Sequence, residues 1–248
     1  MDSETYKLIL SDASQKFQAD VVWRDVNLRL GDREILVILG RSGVGKTTLL
    51  NVASGLDKPA SGQRTVRSGL RLSYMLQEEA LFPWRNAHQN ATFGCELQNT
   101  SGEGLRFVDS LLDRLQMTEA KYKSVVELSG GMKQRISFVR AMGPKPDILL
   151  LDEPFASVDS DMKMEMQRIL IQHAAVSGAG IVVVTHDFDD AAILGKHVFI
   201  LSGKRLEKIY SRDDWENRLQ DRQNIGNWRR SQAHLDLVNE IMSRTRVH

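Results

Sequence analysis

EILVILGRSGVGKTTLLNVAS, residues 34–54, contains the features that decide the fold of this chain. It opens with EILVIL (Glu34 to Leu39), which is apolar without interruption after Glu34 and favours a buried strand. Gly40 to Thr47 then match the motif G-x-x-x-x-G-K-[ST], and Thr47 to Ser54 favour a helix. Glycines in such a loop let backbone N–H groups point inward at phosphate oxygens, and the following helix adds its positive dipole end. The stretch therefore predicts a strand, a phosphate-binding loop and a helix.

The residue types in this loop predict a nucleotide with a bound magnesium ion. Lys46 is expected to reach the β- and γ-phosphates of ATP, and the Thr47 hydroxyl to ligate Mg²⁺. The expected nucleotide contacts from this segment are Gly40, Arg41, Ser42, Gly43, Val44, Gly45, Lys46, Thr47 and Thr48.

Two further apolar runs without alternation resemble the first. Ile148 to Leu151 and Ile181 to Val184 are typical of strands covered on both faces, as in a parallel α/β sheet. Lys7 to Leu10 and Val21 to Leu30 alternate more, and Gly31-Asp32 favours a turn, which predicts an antiparallel layer packed against the main sheet.

An acidic pair follows the second apolar run. Asp152 is expected to orient Mg²⁺ through its water shell, since Mg²⁺ loses water reluctantly. Glu153 is expected on the opposite side of an extended strand, where its carboxylate accepts a proton from the attacking water. Either acid on its own is also compatible with simple solvation of a strand end.

The middle of the chain has helical periodicity. Leu105, Val108, Leu111, Leu112 and Leu115 recur at helical spacing. A second helix is predicted from about Met132 to Met142, ending near Gly143-Pro144. We therefore expect one domain over 1–248, with an α/β core and antiparallel layer (1–87 and 146–203), an inserted helical subdomain (88–145) and a helical tail (204–248). The tail favours a solvated appendage over a binding patch.

Composition limits the classes of partner. The net charge of +1 excludes the basic footprint of a dedicated nucleic-acid binder. The single cysteine, Cys95, is expected to be a small buried hydrophobe, with a reactive thiol as the alternative. The apolar runs are too short to cross a bilayer, so a membrane role would depend on a partner.

LSGGMKQR, Leu128 to Arg135, resembles the signature sequence of ABC ATPases, with Met132 where that family often has Gln. Ser129 suits a helix cap, and Gly130 and Gly131 leave the first helical turn bare for an anion. The resemblance implies a P-loop NTPase core of the ABC type, with an antiparallel β subdomain and an inserted α-helical subdomain. It also implies a head-to-tail dimer with a second copy, in which Ser129, Gly130 and Gly131 complete the ATP site of the other subunit.

Four other positions match the ABC pattern. Gln77 resembles the glutamine that joins the metal site to the membrane partner, and Asp159, in Ser157-Val158-Asp159, resembles the D-loop that lies across the dimer interface. His186, after the third apolar run, resembles the histidine that contacts the γ-phosphate, although a lone histidine is more often structural. Phe17 lies where the family places an aromatic that stacks on adenine; a plain core phenylalanine is the alternative.

The segment LFPWRN, residues 81–86, indicates the type of transporter. It closely resembles the corresponding segment of importers for nitrate, sulfonates and taurine. Leu81, Phe82 and Trp84 favour a docking site for a separate transmembrane permease, with packing under the loop as the alternative.

The resemblance implies an ATPase, peripheral to the cytoplasmic face of the inner membrane, that powers import of a small oxyanion or related solute. A periplasmic or extracellular solute-binding protein would act indirectly. An ABC exporter subunit and a non-transport ABC ATPase remain alternatives. Chromosome-maintenance ABC ATPases are excluded, because too few residues separate the phosphate loop from the signature to form their long coiled coil.

Overall fold

The computed structural model describes residues 5–78, 80–98, 102–215, 217 and 232–245. Their strands form two sheets. The larger sheet contains six strands in the order β5-β6-β7-β3-β8-β9. Its members are β3 (Ile35–Leu39), β5 (Leu72–Met75), β6 (Ile148–Asp152), β7 (Gly180–Thr185), β8 (His197–Ser202) and β9 (Arg205–Ser211).

The centre of this sheet consists of the three apolar runs. Every residue of β3, β6 and β7 is buried, and the three strands pair in parallel. This confirms the prediction from unalternating apolar sequence. The register places Leu39 beside Thr185 and Asp152 beside Val184. The segments that follow the three strands therefore emerge side by side at one edge of the sheet.

A smaller antiparallel sheet has the order β2-β1-β4, from β1 (Leu8–Phe17), β2 (Asp20–Leu30) and β4 (Ser61–Val66). The predicted antiparallel layer is thus confirmed. Its hairpin turn lies between Phe17 and Asp20, whereas Gly31-Asp32 connects β2 to the larger sheet. Strand β2 packs against the phosphate loop, since a Cβ added at Gly45 would lie 2.4 Å from Val22 Cγ1.

Seven α-helices are described around the sheets: α1 (Lys46–Ser54), α2 (Ala87–Leu97), α3 (Gly102–Arg114), α4 (Gly130–Met142), α5 (Ser160–Ser177), α6 (Phe188–Leu194) and α7 (Gln232–Thr245). Val108, Leu111, Leu112 and Leu115 are fully buried, as the periodicity of α3 predicts. Cys95 is also buried, which agrees with a small core residue. Helix α4 begins at Gly130, earlier than predicted, because Ser129 caps it.

The helical tail predicted for 204–248 is wrong at its start. Residues Arg205–Ser211 form β9, which pairs antiparallel with β8 at the edge of the larger sheet. Charged residues on an exposed edge strand weaken the apolar signal by which a strand is detected. Helix α7 follows, with Leu237 and Ile241 buried. Residues 216, 218–231 and 246–248 of the predicted tail lie outside the described residues.

No helix among the residues that the structure describes combines the length and the hydropathy that crossing a membrane requires.

Candidate active site

A cavity of about 350 Å³ lies at the edge of the sheet where β3, β6 and β5 end. Its walls are Ser42, Gly43, Gly45, Lys46, Thr47, Thr48, Gln77, Asp152 and Glu153. Each of these residues was singled out from sequence, and the fold brings them together. Gly40, Arg41 and Val44 line an adjoining cavity, together with His186.

The phosphate loop has the backbone conformation that its glycines allow. Gly43 has φ +78° and Gly45 has φ +103°, in a region that side chains with a Cβ rarely adopt. Gly45 is also the N-cap of α1, so the N-terminus of this helix faces the cavity. The loop therefore presents backbone donors and a positive helix end at one place, which favours an anion.

Lys46 is held inside the loop. Its Nζ donates hydrogen bonds to the carbonyl oxygens of Gly40 (2.9 Å) and Arg41 (3.1 Å), and it lies 3.6 Å from Glu153 Oε1. The side chain is 7% exposed. A nearly buried cation at the mouth of a loop of N–H donors provides concentrated positive charge for phosphate.

Glu153 differs from its expected conformation. Strand β6 ends at Asp152, and Glu153 has φ +48°, so it does not continue the pleat of an extended strand. Its N–H donates to Val184 O (2.9 Å), and its carbonyl accepts from Gln134 Nε2 (2.9 Å). The turn still directs the carboxylate into the cavity, where Oε2 lies 2.9 Å from His186 Nδ1.

Asp152 has the surroundings of a metal-facing carboxylate. It is 1% exposed, and this burial raises its pKa, while a hydrogen bond from the Thr47 side chain acts in the opposite direction. Its Oδ2 is buried and has no hydrogen-bond partner among the described residues. A buried carboxylate oxygen without a partner beside a threonine hydroxyl is the donor set that Mg²⁺ prefers.

The side chains that the structure describes would not enclose a metal ion by themselves. Among the described residues, no group of three or more His, Cys, Asp or Glu side chains is arranged to hold a metal ion. Mg²⁺ commonly binds through one or two protein ligands, waters and substrate phosphates. Thr47 and Asp152 therefore fit Mg²⁺ brought together with a nucleotide.

His186 directly follows β7 at the same edge of the larger sheet as the cavity, and its side chain is 69% exposed. The segment that follows it is held by ion pairs, of which the Lys163 and Asp190 side chains are the more buried members. Lys163 on α5 pairs with Asp187 and, at 2.8 Å, with Asp190. Burial raises the pKa of Asp190 to about 6, although the Lys163 charge opposes the shift. Thr185 Oγ1 also donates to Asp190. This cluster holds the segment that carries His186.

The signature and Asp159 lie away from the phosphate loop of their own chain. Ser129 caps α4 and accepts a hydrogen bond from Met132 N (3.3 Å). Asp159 caps α5, with acceptor contacts to Asp161 N and Met162 N. Ser129, Gly130, Gly131 and Asp159 do not line the 350 Å³ cavity. Within one chain, these four residues therefore do not share the cavity that contains Lys46.

Phe17 is 58% exposed at the end of β1. The core alternative is therefore wrong. It is absent from the wall of the cavity, but β2, its hairpin partner, contacts the phosphate loop at Gly45. An exposed aromatic on this hairpin remains available for a planar ligand.

The docking segment divides into an exposed and a partly buried portion. Trp84 is 77% exposed, whereas Leu81 and Phe82 are half-buried. The Phe82 ring lies 5.4 Å from that of Trp84 and 4.7 Å from that of Phe93. The buried Asn90 side chain bonds both the N–H and the carbonyl of Phe82. The loop is thus anchored from within while its tryptophan faces outward.

One contact in this region, made by Gln134, is not predicted from the sequence. Gln134 lies within the quoted signature, and no function was assigned to it. Its contact with the Glu153 carbonyl joins segments that are far apart in sequence. No local pattern in LSGGMKQR indicates that contact.

Comparison with known proteins agrees with this geometry. The sequence profile of the ABC transporter family matches residues 23–156. The chain belongs to the ABC transporter family. It is 37% identical over 184 residues to the taurine import ATP-binding protein TauB of Mesorhizobium japonicum. That match covers 71% of this chain and 72% of the TauB protein. The chain is 34% identical over 195 residues to TauB of Escherichia coli K12, covering 75% and 76%.

Solved structures show the same fold. The dimeric ATP-binding cassette MJ0796, bound to ADP and Pi in a post-hydrolysis state, matches with a TM-score of 0.71 and 26% identity. That match covers 83% of this chain and 100% of the cassette. An ATP-binding subunit of an ABC transporter matches with a TM-score of 0.77 at 22% identity, over 95% and 99% of the two chains. The ABC chain is therefore an ATP-binding subunit that hydrolyses ATP.

Proposed function

We propose that this ABC ATPase powers an importer of taurine or a similar small sulfonate or oxyanion. The observation that carries the proposal is the 34–37% identity to taurine import ATP-binding proteins over most of both chains. The LFPWRN segment supports the same class of importer. The solute itself contacts other subunits, so no residue of this chain selects it.

In the proposed chemistry, Glu153 is the general base. Its carboxylate accepts the proton of the water that attacks the γ-phosphate, and His186 orients that carboxylate through the 2.9 Å contact while facing the γ-phosphate. Lys46 stabilises the charge on the β- and γ-phosphates. Phe17 stacks on the adenine ring, and the loop from Gly40 to Thr48 holds the phosphates.

Thr47 and Asp152, with Gln77 on the same cavity wall, are the proposed residues that hold Mg²⁺. Bound there with ATP, the ion would neutralise charge on the phosphate oxygens. Burial raises the pKa of Asp152, and the hydrogen bond from the Thr47 side chain opposes that shift.

The second ATP contact in this proposal comes from another copy of the chain. Ser129, Gly130, Gly131 and Asp159 lie off the cavity of their own chain, which supports a role across a head-to-tail dimer. The dimeric MJ0796 cassettes support such a pairing. Two shared sites would then form between the subunits.

Transmembrane permease subunits are the other proposed partners, docking at Leu81, Phe82 and Trp84. The exposure of Trp84, in the same connection between β5 and α2 that contains Gln77, supports this surface. The complex would sit at the cytoplasmic face of the inner membrane, with a solute-binding protein on the opposite side.

Replacing the general base tests the chemistry. Glu153→Gln keeps the side-chain shape and removes the proton acceptor, so we expect normal ATP binding and a loss of about 10²-fold or more in kcat. Glu119→Gln, at an exposed glutamate outside the cavity, is the matched control. Hydrolysis by Glu153→Gln near the wild-type rate would remove Glu153 from the role.

The solute is tested in cells. Cells lacking this chain should lose uptake of labelled taurine, and the intact chain should restore it while Glu153→Gln should not. Normal taurine uptake in its absence, with loss of nitrate or another oxyanion, would correct the solute but leave the ATPase proposal standing.

A further inference from the structure

Gln134 is a buried polar residue in the second turn of α4. Its side chain is 3% exposed, and its Nε2 donates a 2.9 Å hydrogen bond to the backbone carbonyl of Glu153. A glutamine amide that is nearly excluded from water needs such a partner, because an unmade hydrogen bond there is costly. The contact therefore fixes both groups.

The backbone of Glu153 needs support from outside its own segment. Its φ of +48° lies in a region that residues with a Cβ occupy at a cost in energy. Strand β7 fixes one side of the residue, since Val184 O accepts from Glu153 N at 2.9 Å. Helix α4 fixes the other side through Gln134. Two different elements thus set the direction in which this side chain leaves the chain.

Helix α4 is itself held firmly against the same loop. A Cβ added at Gly131 would lie 2.6 Å from Ser157 O, so the first turn packs directly on the segment after Glu153. Arg135 donates to Gly131 O (3.2 Å) and to Leu115 O (2.8 Å), which anchors that turn. Gln134 therefore acts from a fixed position.

We propose that Gln134 is a positioning residue for hydrolysis, which holds the Glu153 backbone so that its carboxylate faces the attacking water. The inference rests on the proposed role of Glu153 as general base. Gln134 lines an adjoining cavity together with Glu153 and His186 but is absent from the wall of the cavity that holds Lys46 and Asp152. It acts through Glu153 rather than on the phosphates.

The direct test is Gln134→Met in the purified full chain, since methionine has a similar shape and no donor. We expect kcat for ATP hydrolysis to fall about 10-fold or more, because small displacements of a catalytic group have large effects. The affinity for ATP with Mg²⁺ should stay within about twofold, since the phosphate loop is untouched. Equal losses in kcat and in ATP affinity would overturn the inference.

A matched control and a second variant separate positioning from folding. Gln15 also donates from a buried amide to a backbone carbonyl, Lys58 O at 3.0 Å, but it lies in β1. Gln15→Met should leave kcat near wild type. Gln134→Asn keeps a buried amide and shortens its reach, so kcat should fall while the melting temperature stays close to wild type. A folded Gln134 variant with wild-type kcat would overturn the proposal.

The decisive measurement is a double-mutant cycle with Glu153→Gln. If Gln134 acts through Glu153, adding Gln134→Met to Glu153→Gln should leave the residual rate unchanged. A further loss of 10-fold or more in the double variant would mean that Gln134 acts elsewhere. Wild-type hydrolysis by Glu153→Gln alone would instead remove Glu153 from the role of general base, so the two failures are distinguishable.

Discussion

At the scale of single residues, the site depends on groups fixed by more than one contact. Glu153 is bonded at its N–H, its carbonyl and its carboxylate by Val184, Gln134 and His186. Lys46 is likewise bonded by two loop carbonyls. Groups held in this way lose little freedom when a ligand binds, which favours both affinity and rate.

Lys46→Ala should act mainly on nucleotide binding. The change removes a nearly buried cation from the loop, and a hydrogen bond to a charged group contributes enough that we expect roughly 10- to 100-fold weaker binding of ATP with Mg²⁺. Titration with a fluorescent ATP analogue measures this affinity. Lys123→Ala, at an exposed lysine outside the loop, should bind normally. Unchanged affinity in Lys46→Ala would show that Lys46 does not meet the phosphates.

At the scale of elements, the register of parallel strands assembles the site. Strands β3, β6 and β7 end in line, so the phosphate loop, the acidic pair and His186 meet at one edge of the sheet. The loop after β5 adds Gln77 and continues to the docking segment. In the proposed complex, a permease pressing on that segment would act on the same connection that carries Gln77, and the coupling would be reciprocal.

Trp84→Ala tests the docking surface. The side chain is 77% exposed, so its loss should leave the fold and the basal ATPase of the isolated subunit nearly unchanged. Assembly with the permease should weaken by about 2 kcal/mol if Trp84 is an interface hot spot, and transport should fall with it. Co-purification with the permease and solute uptake in cells measure the two effects.

Leu56→Ala is the control for that experiment, because Leu56 is also exposed, at 67%, but lies after α1 and outside the docking segment. It should assemble and transport normally. Normal assembly and transport by Trp84→Ala would exclude this docking surface, and a comparable loss of basal ATPase would show that Trp84 supports the fold.

At the scale of the whole molecule, the two helix N-termini proposed to bind phosphate lie at different places in one chain. Gly45 is the N-cap of α1 at the cavity, whereas Ser129 is the N-cap of α4 and does not line that cavity. A second copy placed head to tail would bring Ser129 of one subunit to Lys46 of the other. The two ATP sites would then depend on both chains.

Mixing two inactive variants tests this arrangement. Lys46→Ala removes the lysine from its own phosphate loop, and Ser129→Arg should block the proposed contact of the signature with the neighbouring subunit. Some mixed dimers would contain one intact composite site, so the mixture should hydrolyse ATP more than either variant alone. A mixture no more active than its components would count against a shared site. A chain carrying both substitutions, mixed with Lys46→Ala, is the control and should stay inactive.

The sequence by itself determined the framework of this protein. Apolar runs without alternation predicted the parallel strands, since a strand covered on both faces has no polar side. The residues of the phosphate loop and the acidic pair stood out because their chemistry is local: glycines for a tight turn, a lysine for phosphate, carboxylates for a metal or a proton. Their position at one sheet edge follows from parallel pairing.

Tertiary structure decided what depends on distant partners. The backbone of Glu153 is held by Gln134 of α4 and by Val184 of β7. These contacts form only when the two elements pack together, so neither local sequence predicts them. Strand β9 formed where a helix was expected, since pairing with β8 outweighs a weak local pattern. The exposure of Phe17 and Trp84 was equally undetermined by sequence, because burial is set by which surfaces the packed elements cover.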